Sequence, residues 1–170
     1  MVRTAEPVAA NRYRENFGRY YEDFVVGDVY EHRPGRTISE ADNTWFTLLT
    51  MNSHPAHFDQ AYAAESEFGR PLVNSCLTLS MVVGMSVTDV SYKAIGNLGW
   101  DEVRLTAPVF AGDTLYAESE VLAKRESASR PAQGIVTVRT IGRKADGTEV
   151  IRFERTVLVP RRGHGPDDGG

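Results

Sequence analysis

One segment near the middle of the chain constrains the fold more than any other. Residues 71–87, PLVNSCLTLSMVVGMSV, are typical of a helix with apolar side chains on nearly every face. Pro71 suits its first turn, and we expect the helix, including Cys76, to be buried on most sides. Apolar surface is unfavourable in water, so other elements of the fold must cover such a helix.

The C-terminal half predicts the covering element. Strand-like runs span 98–106, 114–122, 134–143 and 151–159, and turn signals stand at Gly112-Asp113 and Asp146-Gly147. In the last run Arg155 falls on the apolar face, which an edge position or a paired carboxylate would explain. Strands joined by turns predict an antiparallel sheet. The fold class is therefore α+β, with the sheet wrapped around one central helix.

A second helix is predicted earlier in the chain. A strand over 29–38 with a bend at Pro34-Gly35 leads to Ser39, a good N-cap, and Asp42 completes a capping box. The helix ends before Pro55. Helical spacing predicts one buried stripe that contains Trp45, Leu48, Leu49 and Asn52.

Length and composition limit the functions that this chain can have. The 170 residues fit one domain, and we expect a mobile N-terminal tail at 1–16, a single domain at 17–160 and a disordered tail at 161–170. A net charge of −4 argues against nucleic-acid binding. The apolar runs are too short to span a membrane, and the start lacks the apolar core of a secretory signal. A single cysteine then predicts a cytoplasmic protein.

The densest polar cluster is NSHPAHFD, residues 52–59. His54 and His57 flank a proline, and imidazoles exchange protons near neutral pH, so the cluster is a candidate acid/base site. Two alternatives remain open from the residues alone. The cluster can cap a helix and close a loop, or His54, His57 and Asp59 can supply a two-histidine, one-carboxylate metal set.

Several motifs together resemble a known family. NSHPAHFD, FGRPLVNS and APVFAGDTLYAESEVL occur in the order found in the MaoC-like, (R)-specific enoyl-CoA hydratases, which have a hot-dog fold. YYEDFVVGDVY, WFTLLTMN, GMSVTDVS and NLGWDEVRL are similar to the mesaconyl-CoA hydratase (β-methylmalyl-CoA dehydratase) subgroup. The resemblance covers residues 17–160 and implies hydration or dehydration at C2=C3 of an acyl-CoA thioester, such as mesaconyl-CoA or itaconyl-CoA. It also implies no cofactor, no metal, and a homodimer with residues of both chains in each site.

The resemblance assigns roles to five residues. His57 takes the place of the family's catalytic histidine. Asn52 stands where the family has an aspartate, and because an amide cannot accept a proton, it would hold the water. His54 either shares the base role or caps the turn. The backbone N–H of Ser75 would bind the thioester oxygen at a helix N-terminus, with Asn74 beside it as a substrate contact or a helix cap.

A dicarboxylic substrate needs a cation. Arg36, Arg70 and Arg104 are the candidates, because each adjoins an expected core or site segment and arginine binds carboxylates in bidentate fashion. Surface ion pairs are the alternative for each.

Other activities remain open at this point. They are dehydration of an acyl chain bound to a carrier protein, non-catalytic binding of an acyl thioester, which the missing aspartate suggests, and thioester hydrolysis.

Overall fold

The computed structural model describes residues 5–165, so the ends of both predicted tails, 1–4 and 166–170, lie outside the described residues. The predicted N-terminal tail contains a hairpin of β1 (Ala5–Ala9) and β2 (Arg12–Glu15). The remaining elements are β3 (Val29–Thr37), α1 (Glu40–Leu49), α2 (Gln60–Ala64), α3 (Ser75–Met85), β4 (Gly96–Leu105), β5 (Thr114–Glu126), β6 (Gln133–Lys144) and β7 (Glu149–Pro160). Among the described residues, no helix is long and apolar enough to cross a bilayer.

The five long strands form one antiparallel sheet in the order β3-β5-β6-β7-β4, which packs on α3. The predicted α+β, hot-dog arrangement is therefore confirmed. The predicted turns are also present, since Gly112 and Gly147 have φ angles of 96° and 90°, a backbone region that favours glycine. Pro34-Gly35 bends β3 as expected, and its register with β5 shifts between His32 and Arg36.

The helix and the sheet approach each other closely. Leu77 and Val82 of α3 are buried in a cluster with Leu115, Ile151 and Phe153 of the sheet and its neighbours. At Gly142 of β6, an added Cβ would lie 2.7 Å from the Val82 side chain. A larger residue at this position would push α3 away from the sheet.

The start and the exposure of α3 differ from the prediction. The helix begins at Ser75, because the Asn74 side chain accepts a hydrogen bond from the Cys76 N–H and acts as N-cap. Pro71 precedes the helix and is not in its first turn. Cys76, Ser80 and Gly84 are exposed, so a stripe of small residues repeated every four positions stays uncovered. The predicted burial of Cys76 is wrong.

Helix α1 also faces the other way from the prediction. Its capping box of Ser39 and Asp42 is confirmed, but Trp45 and Leu49 are 69% and 74% exposed. The buried residues of α1 are Asn43 and Thr47. Within residues 5–165 the apolar side chains of the predicted stripe, Trp45, Leu48 and Leu49, stay exposed, and the polar face of α1 turns inward instead.

Arg155 has neither of the expected explanations. It lies on β7, between β6 and β4, and is 1% exposed with no carboxylate partner among the described residues. Its Nη2 donates to Ser86 Oγ at 2.9 Å and to Ser91 Oγ at 3.3 Å. Burial lowers the pKa of Arg155 to about 10, so it remains charged at neutral pH. Ser86 Oγ in turn donates to the Val83 carbonyl, at the helix end that favours positive charge.

A second buried polar network lies beyond the same end of α3. His32, 1% exposed, places Nδ1 at 3.0 Å from Asp89 Oδ2 and Nε2 at 2.8 Å from Ser119 Oγ. Arg19 donates to Asp89 Oδ1 at 2.8 Å. The hydrogen bond from His32 and the Arg19 charge hold the pKa of Asp89 below its ordinary 3.8. The network joins β3, β5 and the π-helical turn Val87–Ser91.

The Asp89→Asn variant tests the stabilising role of this carboxylate. Because the folded-state pKa is lowered, ionised Asp89 stabilises the fold above its unfolded pKa and loses that effect as pH falls through the folded value. We expect the variant to lose about 1–3 kcal/mol of unfolding free energy at about pH 7. Urea unfolding should show this difference shrinking below about pH 4. A difference independent of pH would contradict the assignment.

Candidate functional site

His57 lies at the start of the central helix. It ends the short 3₁₀ turn Pro55–His57, and its Nδ1 is 2.8 Å from the carbonyl oxygen of Leu72. A carbonyl can only accept, so Nδ1 carries the hydrogen. In the neutral ring, Nε2 is then left with a free lone pair, which is the form that a general base requires.

The ring opens onto a cavity. His57 lines a space of about 360 Å³ together with Asn43, Phe58 and Arg70 among others. Within residues 5–165, His57 Nε2 has no hydrogen-bond partner. His57 is therefore a lining residue of a cavity and carries an imidazole nitrogen that no described group occupies.

The neighbouring polar residues hold the turn. Asn52, half-buried after α1, accepts a hydrogen bond from the His54 N–H through Oδ1 at 2.9 Å. His54 is exposed, and its Nδ1 accepts from the Ala56 N–H at 3.2 Å. The remaining proton of a neutral His54 ring is then on Nε2, which can donate but not accept. This geometry favours the capping role of His54 over a shared base role.

Asn74 and Ser75 occupy the N-terminus of α3. Asn74 is buried and caps the helix, and its Nδ2 donates to Thr47 Oγ1 at 3.3 Å. Ser75 is exposed, and its backbone N–H has no acceptor among the described residues. Such an N–H group at a helix N-terminus is a ready donor to an anionic oxygen.

Ser75 and His57 line different cavities. Ser75 belongs to a second space of about 310 Å³, which Phe68, Leu72 and Leu105 also line. Both cavities take lining residues from the segment 68–73, because Phe68, Leu72 and Val73 line the Ser75 cavity and Arg70 and Pro71 line the His57 cavity. The His57 ring binds this segment through the Leu72 carbonyl.

The residue that sequence analysis missed is Asn43. It is 3% exposed, and its Nδ2 donates to the carbonyls of His57 at 2.7 Å and Leu72 at 3.1 Å. Its Oδ1 accepts from the Asn74 N–H at 2.8 Å. One signal was available, since Asn43 and Thr47 are spaced i, i+4 and therefore share a face of α1.

The three candidate arginines have different surroundings. Arg36 pairs with Asp42 at 2.5 Å and Arg104 with Glu102 at 3.1 Å, and all four are at the surface. Arg70 stacks on the Phe110 ring, with Cζ 3.9 Å from its centroid, and lines the His57 cavity. Among the described residues Arg70 has no ion-pair partner. The structure therefore brings one of the three cations together with His57.

The metal alternative gains no support. The carboxylate of Asp59 caps α2 by accepting from the Tyr62 N–H, and His54 and His57 each bind the backbone through Nδ1. Across residues 5–165, no three histidine, cysteine or carboxylate side chains are grouped to hold a metal ion.

Comparison with known proteins gives one consistent family. A family model described as mesaconyl-CoA hydratase matches residues 6–170. A mesaconyl-CoA hydratase from Cereibacter sphaeroides is 34% identical over 88% of this chain and 43% of its own length. An (R)-specific enoyl-CoA hydratase from Rhodospirillum rubrum is 31% identical over 85% of this chain and 94% of its own length. The chain thus spans under half of the first relative and nearly all of the second.

Solved structures agree on the fold. A MaoC domain protein dehydratase from Chloroflexus aurantiacus has a TM-score of 0.81 and 32% identity, over 85% of this chain and 41% of that one. A Mycobacterium tuberculosis protein described as a double hot-dog fold has a TM-score of 0.79 at 24% identity, over 88% of this chain and 46% of that one. Each of these structures is about twice as long as the unit that matches.

Proposed function

The chain belongs to the mesaconyl-CoA hydratase family of MaoC-like proteins, and we propose that it adds water to, or removes it from, the C2=C3 bond of a branched C5 dicarboxylyl-CoA. Mesaconyl-CoA and itaconyl-CoA are the substrates to test first. The names of its relatives, mesaconyl-CoA hydratase and β-methylmalyl-CoA dehydratase, support this substrate class. We further propose a cytoplasmic location, which the single cysteine supports.

The proposal rests on the geometry of one imidazole. The Leu72 carbonyl holds His57 with its proton on Nδ1, and His57 lines a cavity together with Arg70 and Pro71, which precede α3 in the chain. In the hydration direction, Nε2 would take a proton from water as the oxygen adds to C3. The same proton would then be delivered to C2. General acid–base catalysis of this kind contributes about 10²–10⁴-fold.

Asn52 and Ser75 would complete the chemistry. The Nδ2 of Asn52 has no partner among the described residues and would be the group that holds the water, but Asn52 is not among the residues that line either cavity. Negative charge develops on the thioester oxygen when water adds to C3. The Ser75 N–H, at the positive end of α3, would stabilise that charge.

One prediction concerns His57. Replacement of His57 by Gln or Ala removes the proton acceptor. We therefore expect kcat/KM for hydration of the enoyl thioester to fall by about 10²–10⁴-fold. The measurement follows the enoyl-thioester absorbance with mesaconyl-CoA, itaconyl-CoA and crotonyl-CoA. His54→Ala is the matched control, with an expected loss below about tenfold, because its ring caps a turn. Unchanged turnover in His57→Ala would remove His57 from the mechanism, and reaction with crotonyl-CoA alone would overturn the dicarboxylate assignment.

Arg70 is the cation that we propose for the second carboxylate of the substrate. It lines the His57 cavity, and Glu40 is the other charged group in the lining. Stacking on Phe110 orders the guanidinium without using its N–H groups. Those groups are therefore available for a bidentate bond to a carboxylate.

Arg70→Ala should change selectivity. We expect kcat/KM for mesaconyl-CoA to fall by about 10–100-fold, the value of a charged hydrogen-bond pair, while kcat/KM for crotonyl-CoA changes by less than about threefold. Arg36→Ala is the matched control, because Arg36 pairs with Asp42 at the surface. Equal losses of kcat/KM for both thioesters would show that Arg70 does not bind the carboxylate of the acyl group.

We propose that the active form is a homodimer. Strand β4 is one edge of the sheet and exposes Leu98, Trp100 and Leu105. The other edge, β3, is interrupted by Pro34, which has no N–H to pair. Together with the small-residue stripe of α3, the β4 edge fits a second copy.

The dimer prediction uses the two edges of the sheet. Leu98→Glu combined with Trp100→Glu places charge on the β4 edge and should give a monomer in light scattering, whereas the wild-type chain should have twice the monomer mass. Val29→Glu on the β3 edge is the matched control, because Val29 is equally exposed, and it should remain dimeric. A monomeric wild-type chain would overturn this proposal.

A further inference from the structure

We infer that Asn43 is a positioning residue, which fixes the spacing between the His57 ring and the N-terminus of α3. This inference deepens the proposed function and rests on it. Asn43 touches neither the reacting atoms nor the ring itself in the contacts described above. It acts through three backbone groups in two segments, the turn that ends at His57 and the stretch from Leu72 to Asn74 that leads into α3.

The three hydrogen bonds require an amide. Asn43 donates to the carbonyls of His57 and Leu72 and accepts from the Asn74 N–H. A carboxylate could accept from Asn74 but would repel both carbonyl oxygens. An apolar side chain would leave the His57 carbonyl and the Asn74 N–H without this partner, and the Leu72 carbonyl would keep only its bond to the His57 ring. Only a side chain with both a donor and an acceptor satisfies all three.

The Leu72 carbonyl is the shared atom of this arrangement. It accepts from the Nδ1 of His57 at 2.8 Å and from the Nδ2 of Asn43 at 3.1 Å. Asn43 also binds the carbonyl of His57 itself. One side chain thus holds both the backbone of the histidine and the carbonyl that orients its ring.

The same side chain reaches the oxyanion end of the site. The Asn74 N–H that binds Asn43 immediately precedes Ser75, whose N–H we assign to the thioester oxygen. Asn43 therefore links the proton-handling group with the oxyanion donor. An error of about 1 Å in such a spacing can cost about 10²-fold in rate.

The test separates a positioning role from a general effect on stability. Asn43→Ala and Asn43→Asp are compared with Thr140→Val, a buried polar residue whose hydroxyl binds Ser119 on the sheet. Thr140 lies outside the site, so its loss should lower stability and leave kcat unchanged. Each variant is first shown to be folded by circular dichroism and thermal unfolding.

Two measurements are then made. Steady-state kinetics with mesaconyl-CoA should show kcat reduced about 10–100-fold in both Asn43 variants, with KM changed by less than about threefold. Nitrogen-15 NMR of the imidazoles, with the His57 signals assigned by their absence in His57→Gln, reports the tautomer without any substrate. Wild-type His57 should carry its proton on Nδ1, and the Asn43 variants should shift toward protonation on Nε2.

The outcomes are distinct. A His57 tautomer unchanged in Asn43→Ala, or a kcat loss no larger than that of Thr140→Val, would overturn the positioning role. A wild-type protein that hydrates none of the thioesters would overturn the proposed function. In that case the tautomer measurement would still decide whether Asn43 sets the state of the His57 ring.

Discussion

The polar interior of this protein is organised by the ends of its central helix. A sheet packed along α3 limits access of water to the helix, yet the first N–H groups and last carbonyls of any helix have no partners within it. Asn74 and Asn43 supply partners at the N-terminus. At the C-terminus, Ser86 binds a helix carbonyl and Arg155 binds Ser86. This requirement accounts for the buried Asn43, Asn74, Ser86 and Arg155, whereas His32, Ser119 and Thr140 are bound in other contacts.

The candidate site uses the group that the N-terminal partners leave free. Asn74 satisfies the Cys76 N–H, and Asn43 satisfies the Asn74 N–H, so Ser75 between them keeps an unpaired donor. The His57 ring is fixed to the same segment by the Leu72 carbonyl. The hydrogen bonds that cap the N-terminus of α3 thus leave the Ser75 N–H as a donor for an anionic oxygen. The same segment also holds His57, the candidate proton acceptor.

One chain leaves several surfaces uncovered. The apolar face of α1, the small-residue stripe of α3 and the β4 edge are all exposed. The proposed homodimer would cover the β4 edge and the small-residue stripe of α3 with a second copy of the chain, because a packed interface requires complementary surface on both sides.

The sequence by itself determined the elements and their order. The four C-terminal strands, the turns at Gly112 and Gly147, and the cap of α1 follow from local rules of alternation, backbone freedom and hydrogen bonding. The motifs of the resemblance also located the segment around His57. Such features depend on neighbours in the chain, so the printed residues suffice to predict them.

Only the tertiary structure decided which face of each element is covered. Periodicity identified an apolar stripe on α1 but could not show that Asn43 and Thr47 face inward, because the partners of Asn43 lie 14 to 31 residues away in the sequence. The sequence also could not predict the surroundings of Arg70, Arg36 and Arg104, because folding decides which ion-pair partner or aromatic ring lies beside each of them. Local sequence specifies what a side chain can bind, and the packing of distant segments specifies what it meets.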